Sequence, residues 1–157
     1  MSKTTRATQA LTKAGAAFTV HAYDYDPGAD RIGLQAADAL GEDPRRVLKT
    51  LMAEVDGRPV CVVLASDREV AMKKLAAAVG GKAASMMKPA DAERLTGYHV
   101  GGISPFGQKR AVPVVIDAAA LEEPAVYLNG GQRGLQIRLD PKLARDLLKA
   151  VAAPVAV

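Results

Sequence analysis

The amino-acid sequence predicts an α+β domain whose sheet is largely antiparallel or mixed and can curl into a barrel. Three observations lead to this fold class. Segments with strand character outnumber segments with helical periodicity, several strands are joined by short turns, and the helices do not alternate regularly with the strands. The chain has 157 residues, which suffices for one hydrophobic core. We therefore expect residues 1–157 to form a single domain.

The N-terminal third predicts two helices and one strand. Thr4 or Thr5 can cap a first helix that contains Leu11 and ends at Gly15. The segment "AFTVHAY" is typical of a strand, and "DYDPGAD" is rich in turn formers. A short second helix is expected over residues 31–40, after which "EDPRR" leads into the next strand.

A β-hairpin is predicted in the middle of the chain. The segments "VLKTLMAEV" and "PVCVVLA" have strand character, and Asp56 and Gly57 between them accept the positive φ angles of a tight turn. The two strands should therefore be antiparallel neighbours. Cys61, the only cysteine, lies in the second strand, so a disulfide within the chain is impossible and a buried position is expected.

Three helices and three strands are predicted after the hairpin. A helix over residues 68–79 places Val70, Leu75 and Val79 on one face, and "PADAERLTG" predicts a helix from Pro89 to Gly97. Strands are expected at "VPVVID", "AVYLNGG" and "GLQIRL". The last predicted helix begins with a cap and a proline and has an apolar side formed by Leu143, Leu147, Leu148 and Val151.

Lys49 occupies an unusual position in its predicted strand. With the two-residue period of a strand, it shares a face with the apolar residues Val47, Leu51, Ala53 and Val55. A lysine is seldom buried without a partner, because removing water from its ammonium group is costly. Lys49 therefore either reaches solvent at the end of the strand or binds an anion.

The most unusual local sequence is "GGISPFGQ", residues 101–108, which contains three glycines, one proline and one serine. Glycine has no Cβ, so such a loop can bring backbone N–H groups close to an oxyanion or a phosphate. The loop matches neither a P-loop nor a dinucleotide-binding motif. Ser104 lacks the strand-turn-helix context of a hydrolase nucleophile. An ordinary turn and a binding loop both remain compatible with this pattern.

Composition and charge argue against several classes of function. Only 4% of the residues are aromatic, which disfavours a platform for stacking bases. Two histidines and one cysteine make no convincing zinc site, and we expect neither a metal nor a cofactor. Apolar runs are far shorter than the roughly 20 residues of a membrane span, and the N-terminus lacks the apolar centre of a signal peptide. We expect a cytoplasmic protein without membrane contact.

Five segments together resemble a known family. The segments "FTVHAYDYDP", "VLKTL", "TGYHVGGISPFGQKR", "PVVID" and "YLNGGQRGLQI" are similar in order and spacing to the YbaK branch of the YbaK/EbsC superfamily. The resemblance covers residues 7–148. Members of this branch are free-standing Cys-tRNA(Pro) deacylases, similar to the editing domain of bacterial prolyl-tRNA synthetases. The resemblance implies a compact α+β domain with flanking helices around a mixed, barrel-like sheet.

The resemblance also implies roles for individual residues. Lys49 matches the family's essential lysine, and Gly101 matches a loop that supplies backbone donors around the scissile carbonyl. Other residues implied at the substrate site are Tyr23, Thr50, Gly102, Ile103, Ser104 and Gln136. The family uses no protein nucleophile, because the thiol of the mischarged cysteine attacks its own ester and leaves as a thiolactone. Positioning and oxyanion stabilisation would then carry the catalysis.

The expected partners are tRNA(Pro) carrying cysteine and prolyl-tRNA synthetase. The chain has a net charge of +4, which is compatible with a polyanionic partner but also occurs in proteins that bind none. If tRNA binds through its phosphates, the basic candidates are Lys73, Lys74, Lys109, Arg110 and Arg133.

Gln136 departs from the family pattern, which leads us to expect an aspartate between "RGL" and "I". The change removes a carboxylate, although glutamine still donates and accepts hydrogen bonds. Two alternatives therefore stay open. The protein can be a deacylase for Ala-tRNA(Pro) or another small aminoacyl-tRNA, or a non-catalytic module that binds tRNA or a synthetase.

Overall fold

A computed structural model describes residues 4–27 and 32–157. In chain order, the helices are Arg6–Lys13 (α1), Ile32–Leu40 (α2), Met72–Ala78 (α3), Pro89–Thr96 (α4) and Pro141–Leu148 (α5). The strands are Thr19–Ala22 (β1), Leu48–Val55 (β2), Arg58–Ala65 (β3), Ala84–Met86 (β4), Val114–Asp117 (β5), Val126–Asn129 (β6), Leu135–Leu139 (β7) and Val151–Ala153 (β8). Among the described helices, none has the length and apolarity that a membrane span requires.

The strands form two sheets. One has the order β1–β7–β6 and is antiparallel, and the other has the order β4–β2–β3–β5–β8 and combines antiparallel with parallel pairs. The predicted α+β class with a mixed sheet is confirmed. Within residues 4–27 and 32–157 the strands do not close a barrel; the sheets instead meet where Val47 makes a parallel bridge to Tyr127.

The predicted hairpin is present between β2 and β3. Asp56 has φ +50° and Gly57 has φ +80°, the left-handed conformations that a two-residue hairpin turn requires. The antiparallel register runs from Leu48 opposite Ala65 to Val55 opposite Arg58. Residues that make a tight turn therefore set the pairing of the two longest strands.

Local capping signals explain where several helices begin and end. Thr5 and Thr8 form a reciprocal capping box at the start of α1, with N···O distances of 2.8 and 3.1 Å. Gly97 ends α4 in a left-handed conformation, with φ +81°. The Asp140 side chain accepts a hydrogen bond from the Lys142 N–H at the start of α5. The predicted loop over residues 24–30 and the predicted helix start at residue 31 lie partly outside the described residues.

The helix predicted over residues 68–79 is shorter than expected, because α3 begins only at Met72. The preceding residues are extended and pair with the C-terminal segment. The Ala71 N–H donates to the Val155 carbonyl at 2.8 Å, and Val70 makes an antiparallel bridge to Ala156. Tertiary pairing of these residues replaces the first helical turn that their periodicity predicts.

The C-terminal prediction also needs a correction. The helical pattern places Val151 on the apolar side of the last helix, but α5 ends at Leu148 and Lys149 has φ +52°. Val151 belongs to β8, which pairs in parallel with β5. The sequence pattern did not predict β8 or the short strand β4, because neither three-residue segment is long enough to show a period.

Two apolar clusters pack on the faces of the five-stranded sheet. The first includes Met52 and Cys61, and the second includes Ala53 and Val62, so neighbouring residues of β2 and β3 point into different clusters. Cys61 is fully buried, as expected. Lys49 lies on the same face of β2 as Ala53, but closer to the start of the strand.

Candidate active site

A cavity of about 340 Å³ opens beside the first half of β2. β4 pairs with β2 only over Ala53–Val55, so within the described chain no strand pairs with residues 48–52 on that edge. The cavity occupies this gap. Its walls come from β2, the segments around β4 and α4, the glycine loop, and the facing residues of β6 and β7: Leu48, Lys49, Thr50, Leu51, Met52, Ser66, Glu69, Met86, Met87, Pro89, Ala92, Val100, Gly101, Ile103, Asn129 and Gln136.

Lys49 lies in the cavity wall with an ionic neighbour at its outer end. Its side chain is 21% exposed, and its Nζ lies 3.7 Å from Oε1 of Glu69, whose side chain is 72% exposed. A pair with such an exposed carboxylate is weak, because water screens it. The Lys49 side chain is therefore mostly withdrawn from solvent, and within the described chain its ammonium has only this weak ionic partner.

Three buried polar atoms have no hydrogen-bond partner among the described residues: Tyr23 Oη, Thr50 Oγ1 and Gln136 Oε1. Thr50 and Gln136 belong to the cavity wall. Leaving such an atom unpaired costs roughly 1–3 kcal/mol, so unpaired groups beside a cavity indicate a polar ligand. These atoms supply two hydroxyl groups and one amide oxygen.

Tyr23 belongs to the layer next to the cavity lining. Burial raises the pKa of the Tyr23 hydroxyl above its ordinary value, and the Gln136 side chain lowers this pKa by a smaller amount. The hydroxyl is consequently protonated at neutral pH and can donate to the amide oxygen of Gln136 after a small reorientation. Tyr23 does not line the cavity itself.

The two glycines at the start of the loop differ in their surroundings. Gly101 has φ +90° and lines the cavity. A Cβ on Gly102 would lie 2.9 Å from the backbone N of Arg133 and 2.9 Å from Cα of Gln132, so only glycine fits there. The Gly102 N–H already donates to the His99 carbonyl at 2.8 Å. The Gly101 N–H, in contrast, donates to no acceptor in the described part of the chain.

The rest of the loop has a structural role. Ser104 is fully buried, and its Oγ accepts a hydrogen bond from the Phe106 N–H at 3.2 Å. The Ser104 carbonyl accepts from Gln108 Nε2 at 3.0 Å. Ile103 contributes to the cavity wall, whereas Ser104 does not. This position is unsuitable for a nucleophile.

Comparison with known proteins places this geometry in a family. The profile of the aminoacyl-tRNA editing domain family matches residues 26–147, most of the chain. This protein belongs to that family. The resemblance to YbaK proteins that the sequence motifs indicate is thereby confirmed.

Three relatives show the range of the aminoacyl-tRNA editing domain family. EbsC of Enterococcus faecalis, named as a Cys-tRNA(Pro)/Cys-tRNA(Cys) deacylase, is 33% identical over 135 residues, which cover 85% of this chain and 82% of EbsC. The multifunctional Ser/Thr-tRNA deacylase ProXp-y of Escherichia coli is 27% identical, over 71% of this chain and 67% of its own. A crystal structure described as a trans-editing enzyme for prolyl tRNA synthetase superposes with a TM-score of 0.83 at 25% identity, over 97% and 95% of the two chains.

The basic residues of this editing domain lie on separate parts of its surface. Lys73 and Lys74 are exposed on α3, and Lys109 and Arg110 line a shallow depression beside α4. Arg133 is exposed, yet its Nε donates to the Val100 carbonyl at 2.9 Å. Val100 belongs to the cavity wall. Within the described chain, Arg133 is therefore the one predicted tRNA contact whose side chain is hydrogen-bonded to that wall.

Sequence reasoning missed Asn129 and Glu69. Asn129 is 8% exposed and lines the cavity, where its Nδ2 donates to the Gly101 carbonyl at 3.1 Å. The position of Asn129 directly before Gly130 and Gly131 was an available signal, because a polar side chain before two glycines often stabilises a turn. Nothing in the sequence near Glu69 indicates that it approaches Lys49, since this contact depends on the pairing of β2 with β3.

The described residues contain no group of three His, Cys, Asp or Glu side chains that could hold a metal ion. The polar groups of the cavity wall include the Lys49 ammonium, the Glu69 carboxylate, the hydroxyls of Thr50 and Ser66, the amides of Asn129 and Gln136, and the Gly101 N–H. Such groups can orient an ester, stabilise negative charge on its carbonyl oxygen and bind a polar side chain.

Proposed function

We propose that this protein is an aminoacyl-tRNA deacylase that removes cysteine from mischarged tRNA(Pro). The observation that carries the proposal is the placement of Lys49 and Gly101 in the wall of one small cavity. Membership of the editing domain family and the similarity to EbsC support it. The volume of about 340 Å³ is near the lower end of the range for ligand pockets, which suits a small aminoacyl group.

In this proposal, Lys49 binds an anionic group at the 3′ end of the tRNA. Its side chain is mostly buried, so its attraction for a phosphate is screened less than that of a fully solvated lysine. Glu69 is mostly exposed and can turn away when the phosphate arrives. Lys49 thereby acts through position and charge and does not attack the substrate.

Gly101 stabilises the reacting carbonyl. Its N–H is the natural donor to the ester oxygen, because the neighbouring Gly102 N–H is already bonded to His99. A fixed donor that strengthens its bond as negative charge develops lowers the barrier, and the loss of one such donor typically costs a factor of about 100–1,000 in kcat.

The cysteine thiol of the substrate supplies the nucleophile. As the sulfur–carbon bond forms, the ester carbon–oxygen bond breaks, and cysteine leaves as a β-thiolactone. The thiol proton ends on the ribose oxygen of the tRNA. Ser104 takes no part, because it is buried and hydrogen-bonded within its loop. The reaction needs orientation of the thiol and the ester but no acid or base from the cavity.

Thr50 and Gln136 contact the aminoacyl group. Each has a buried oxygen without a partner among the described residues, and each can pair with a thiol or an ammonium of the substrate. The Gln136 amide oxygen has two lone pairs, so it can accept from the substrate and from Tyr23 at the same time. The need for such an editing site follows from size, since a small apolar pocket separates near-isosteric amino acids by only about 10–200-fold. Prolyl-tRNA synthetase is the partner that would supply the mischarged tRNA(Pro).

A second candidate is a deacylase for another small aminoacyl-tRNA. The unpaired oxygens of Thr50 and Gln136 would accept a hydroxyl donor as readily as a thiol, and ProXp-y is named for activity on Ser- and Thr-tRNA. In that case water, and not the substrate side chain, would attack the ester. Alanine has no polar side chain, so the same oxygens disfavour Ala-tRNA(Pro).

The test is a deacylation panel with Cys-, Ser-, Thr-, Ala- and Pro-tRNA(Pro). We expect rapid loss of cysteine, release of a thiolactone that a thiol reagent traps, and a fall in kcat/KM of about 100-fold or more for Lys49→Ala. Lys142→Ala, on the exposed side of α5, serves as the control. Faster turnover of Ser- or Thr-tRNA would favour the second candidate, and tRNA binding without turnover would refute the enzymatic function.

A further inference from the structure

We infer that Arg133 and Asn129 are positioning residues that set the direction of the Gly101 N–H. This inference rests on the proposed deacylase function, in which that N–H stabilises the carbonyl oxygen. It changes the expectation for Arg133, whose exposed position and charge otherwise indicate a contact with tRNA phosphate.

The inference begins with the three consecutive peptide groups that join residues 99–102. Of their six polar atoms, five are hydrogen-bonded. The Val100 N–H donates to Glu93 Oε2 at 2.8 Å, the His99 carbonyl accepts from the Gly102 N–H at 2.8 Å, and the Val100 and Gly101 carbonyls accept from side chains. The sixth atom is the Gly101 N–H, which has no acceptor in residues 4–27 and 32–157 and is left for a ligand.

Arg133 acts on the peptide group that contains this N–H. Its Nε donates to the Val100 carbonyl at 2.9 Å, which is the opposite end of the same peptide plane. A charged donor on the carbonyl draws electron density away from the nitrogen, so the N–H becomes a stronger donor. The guanidinium also lies 5.5 Å from the centre of the Tyr25 ring, a cation–π contact that limits its movement.

Asn129 acts on the next peptide group. Its Nδ2 donates to the Gly101 carbonyl at 3.1 Å, and its Oδ1 accepts from the Gly131 N–H at 2.7 Å. The residue is 8% exposed and lies at the end of β6, directly opposite Gln136 of β7. The backbone of Asn129 is therefore fixed by strand pairing and its amide oxygen by the Gly131 N–H, so its Nδ2 is directed at the Gly101 carbonyl, as a positioning residue requires.

The two contacts limit rotation of the backbone on both sides of Gly101. Glycine rotates freely in an unconstrained loop, and φ +90° is a conformation that it leaves easily. With the Val100 and Gly101 carbonyls both held, the N–H between them has a fixed direction. Small errors in the direction of a donor reduce its effect on the transition state more than its effect on binding.

The experiment compares Asn129→Asp and Arg133→Gln with the wild-type protein. Asn129→Asp keeps the acceptor for the Gly131 N–H, but it replaces the donor to Gly101 with a charged carboxylate oxygen that repels the Gly101 carbonyl. Arg133→Gln removes the charge on the Val100 carbonyl. We expect kcat to fall about tenfold in each variant, with KM changing by less than about twofold. Arg58→Gln removes the same charge at an exposed site that does not line the cavity, and it should leave kcat unchanged.

The salt dependence separates positioning from phosphate binding. If Arg133 binds a phosphate, Arg133→Gln raises KM and reduces the slope of log K against log salt by about 0.7–0.9, with kcat retained. That result would overturn the inference for Arg133. A fall in kcat with an unchanged slope would support it.

A measurement without substrate distinguishes this inference from the proposed function. In ¹⁵N-labelled protein, both variants should shift the Gly101 amide resonance while the amides of β3 and β5 stay in place. Unchanged Gly101 resonances would overturn the inference even if the protein is an active deacylase. If the wild-type protein turns over no aminoacyl-tRNA, the proposed function fails, and the amide resonances still decide whether the two side chains hold Gly101.

Discussion

The Lys49 ammonium lies 3.7 Å from the Glu69 carboxylate at the mouth of the cavity. The Glu69 backbone is held by two hydrogen bonds to Val157, at 2.8 and 3.3 Å, whereas its side chain is 72% exposed. Glu69 thus keeps a carboxylate near Lys49 without fixing it there. A bound tRNA phosphate would compete with this carboxylate for the same ammonium.

Replacing Glu69 with glutamine should strengthen tRNA binding. The change removes a negative charge next to the group that binds the phosphate, and an exposed pair of this kind is worth about 0.2–1 kcal/mol, or up to roughly fivefold in Kd. The gain should shrink as salt screens the charges. Filter binding at low and high salt measures it, with the exposed Glu122→Gln as control. Weaker binding of Glu69→Gln at low salt would show that Glu69 positions Lys49 and does not compete for it.

Replacing Gln136 with glutamate should make stability depend on pH. The new carboxyl is buried at a position that is 4% exposed, so its pKa in the folded protein lies above its unfolded value. Below about pH 4 both states are protonated and the variant should match the wild-type protein. Above that, stability falls by about 1.4 kcal/mol per pH unit until the folded pKa is reached.

Thermal unfolding at pH 4 and pH 8 tests this prediction for Gln136→Glu. The exposed Gln9→Glu on α1 is the matched control and should behave like the wild-type protein at both values. If Gln136→Glu is equally stable at pH 8, the new carboxylate pairs with a cation, and Lys49 of the same cavity is the first candidate.

Gly102→Ala should damage the loop. The added Cβ would lie 2.9 Å from backbone atoms of Gln132 and Arg133, which cannot move aside as a side chain can. We expect a loss of stability of about 1–3 kcal/mol and displacement of Gly101, with a fall in deacylation. Gly41→Ala is a comparison without a clash, because no atom lies within 4 Å of the added Cβ; its cost comes from φ +67°, a strain that Gly102 does not have. Deacylation by Gly102→Ala as fast as that of the wild-type protein and of Gly41→Ala would contradict the steric explanation.

The Cys61 thiol should be unreactive in the folded protein. It is fully buried, and burial raises its pKa to about 12, while a contact with Gln108 lowers it slightly. The thiolate is the reactive form, so almost none is present at pH 8. A chromogenic disulfide reagent should label no thiol in the native protein and one in denaturant. Rapid labelling of the native protein would show that the sheet opens around β3.

Removal of the basic pair Lys109 and Arg110 should weaken tRNA binding and its dependence on salt. Each phosphate contact contributes about 0.7–0.9 to the slope of log K against log salt, so the double alanine variant should lose about 1.5. The same measurement applies to Lys73 and Lys74. Lys13→Ala combined with Lys142→Ala removes two exposed charges elsewhere and serves as control. A pair whose removal leaves the slope unchanged does not contact the tRNA backbone.

Local sequence signals predicted much of the secondary structure. Asp56, Gly57 and Gly97 accept positive φ angles, which predicts a turn or a helix end from the local sequence. The Thr5 hydroxyl can accept a hydrogen bond from a backbone N–H three residues later, which predicts the start of a helix. The incorrect predictions lie at residues 68–71 and at Val151. Both segments pair with distant residues, and no local period reports such pairing.

The sequence by itself determined the fold class, the family and the importance of Lys49 and the glycine loop as candidates. The tertiary structure decided that Lys49 and Gly101 share one cavity, that Gly102 and Ser104 are occupied by bonds within their own loop, and that Asn129 holds the Gly101 carbonyl. The physical reason is sequence separation. Asn129 and Gly101 are 28 residues apart, and their hydrogen bond exists only once the strands have paired and brought β6 against the loop.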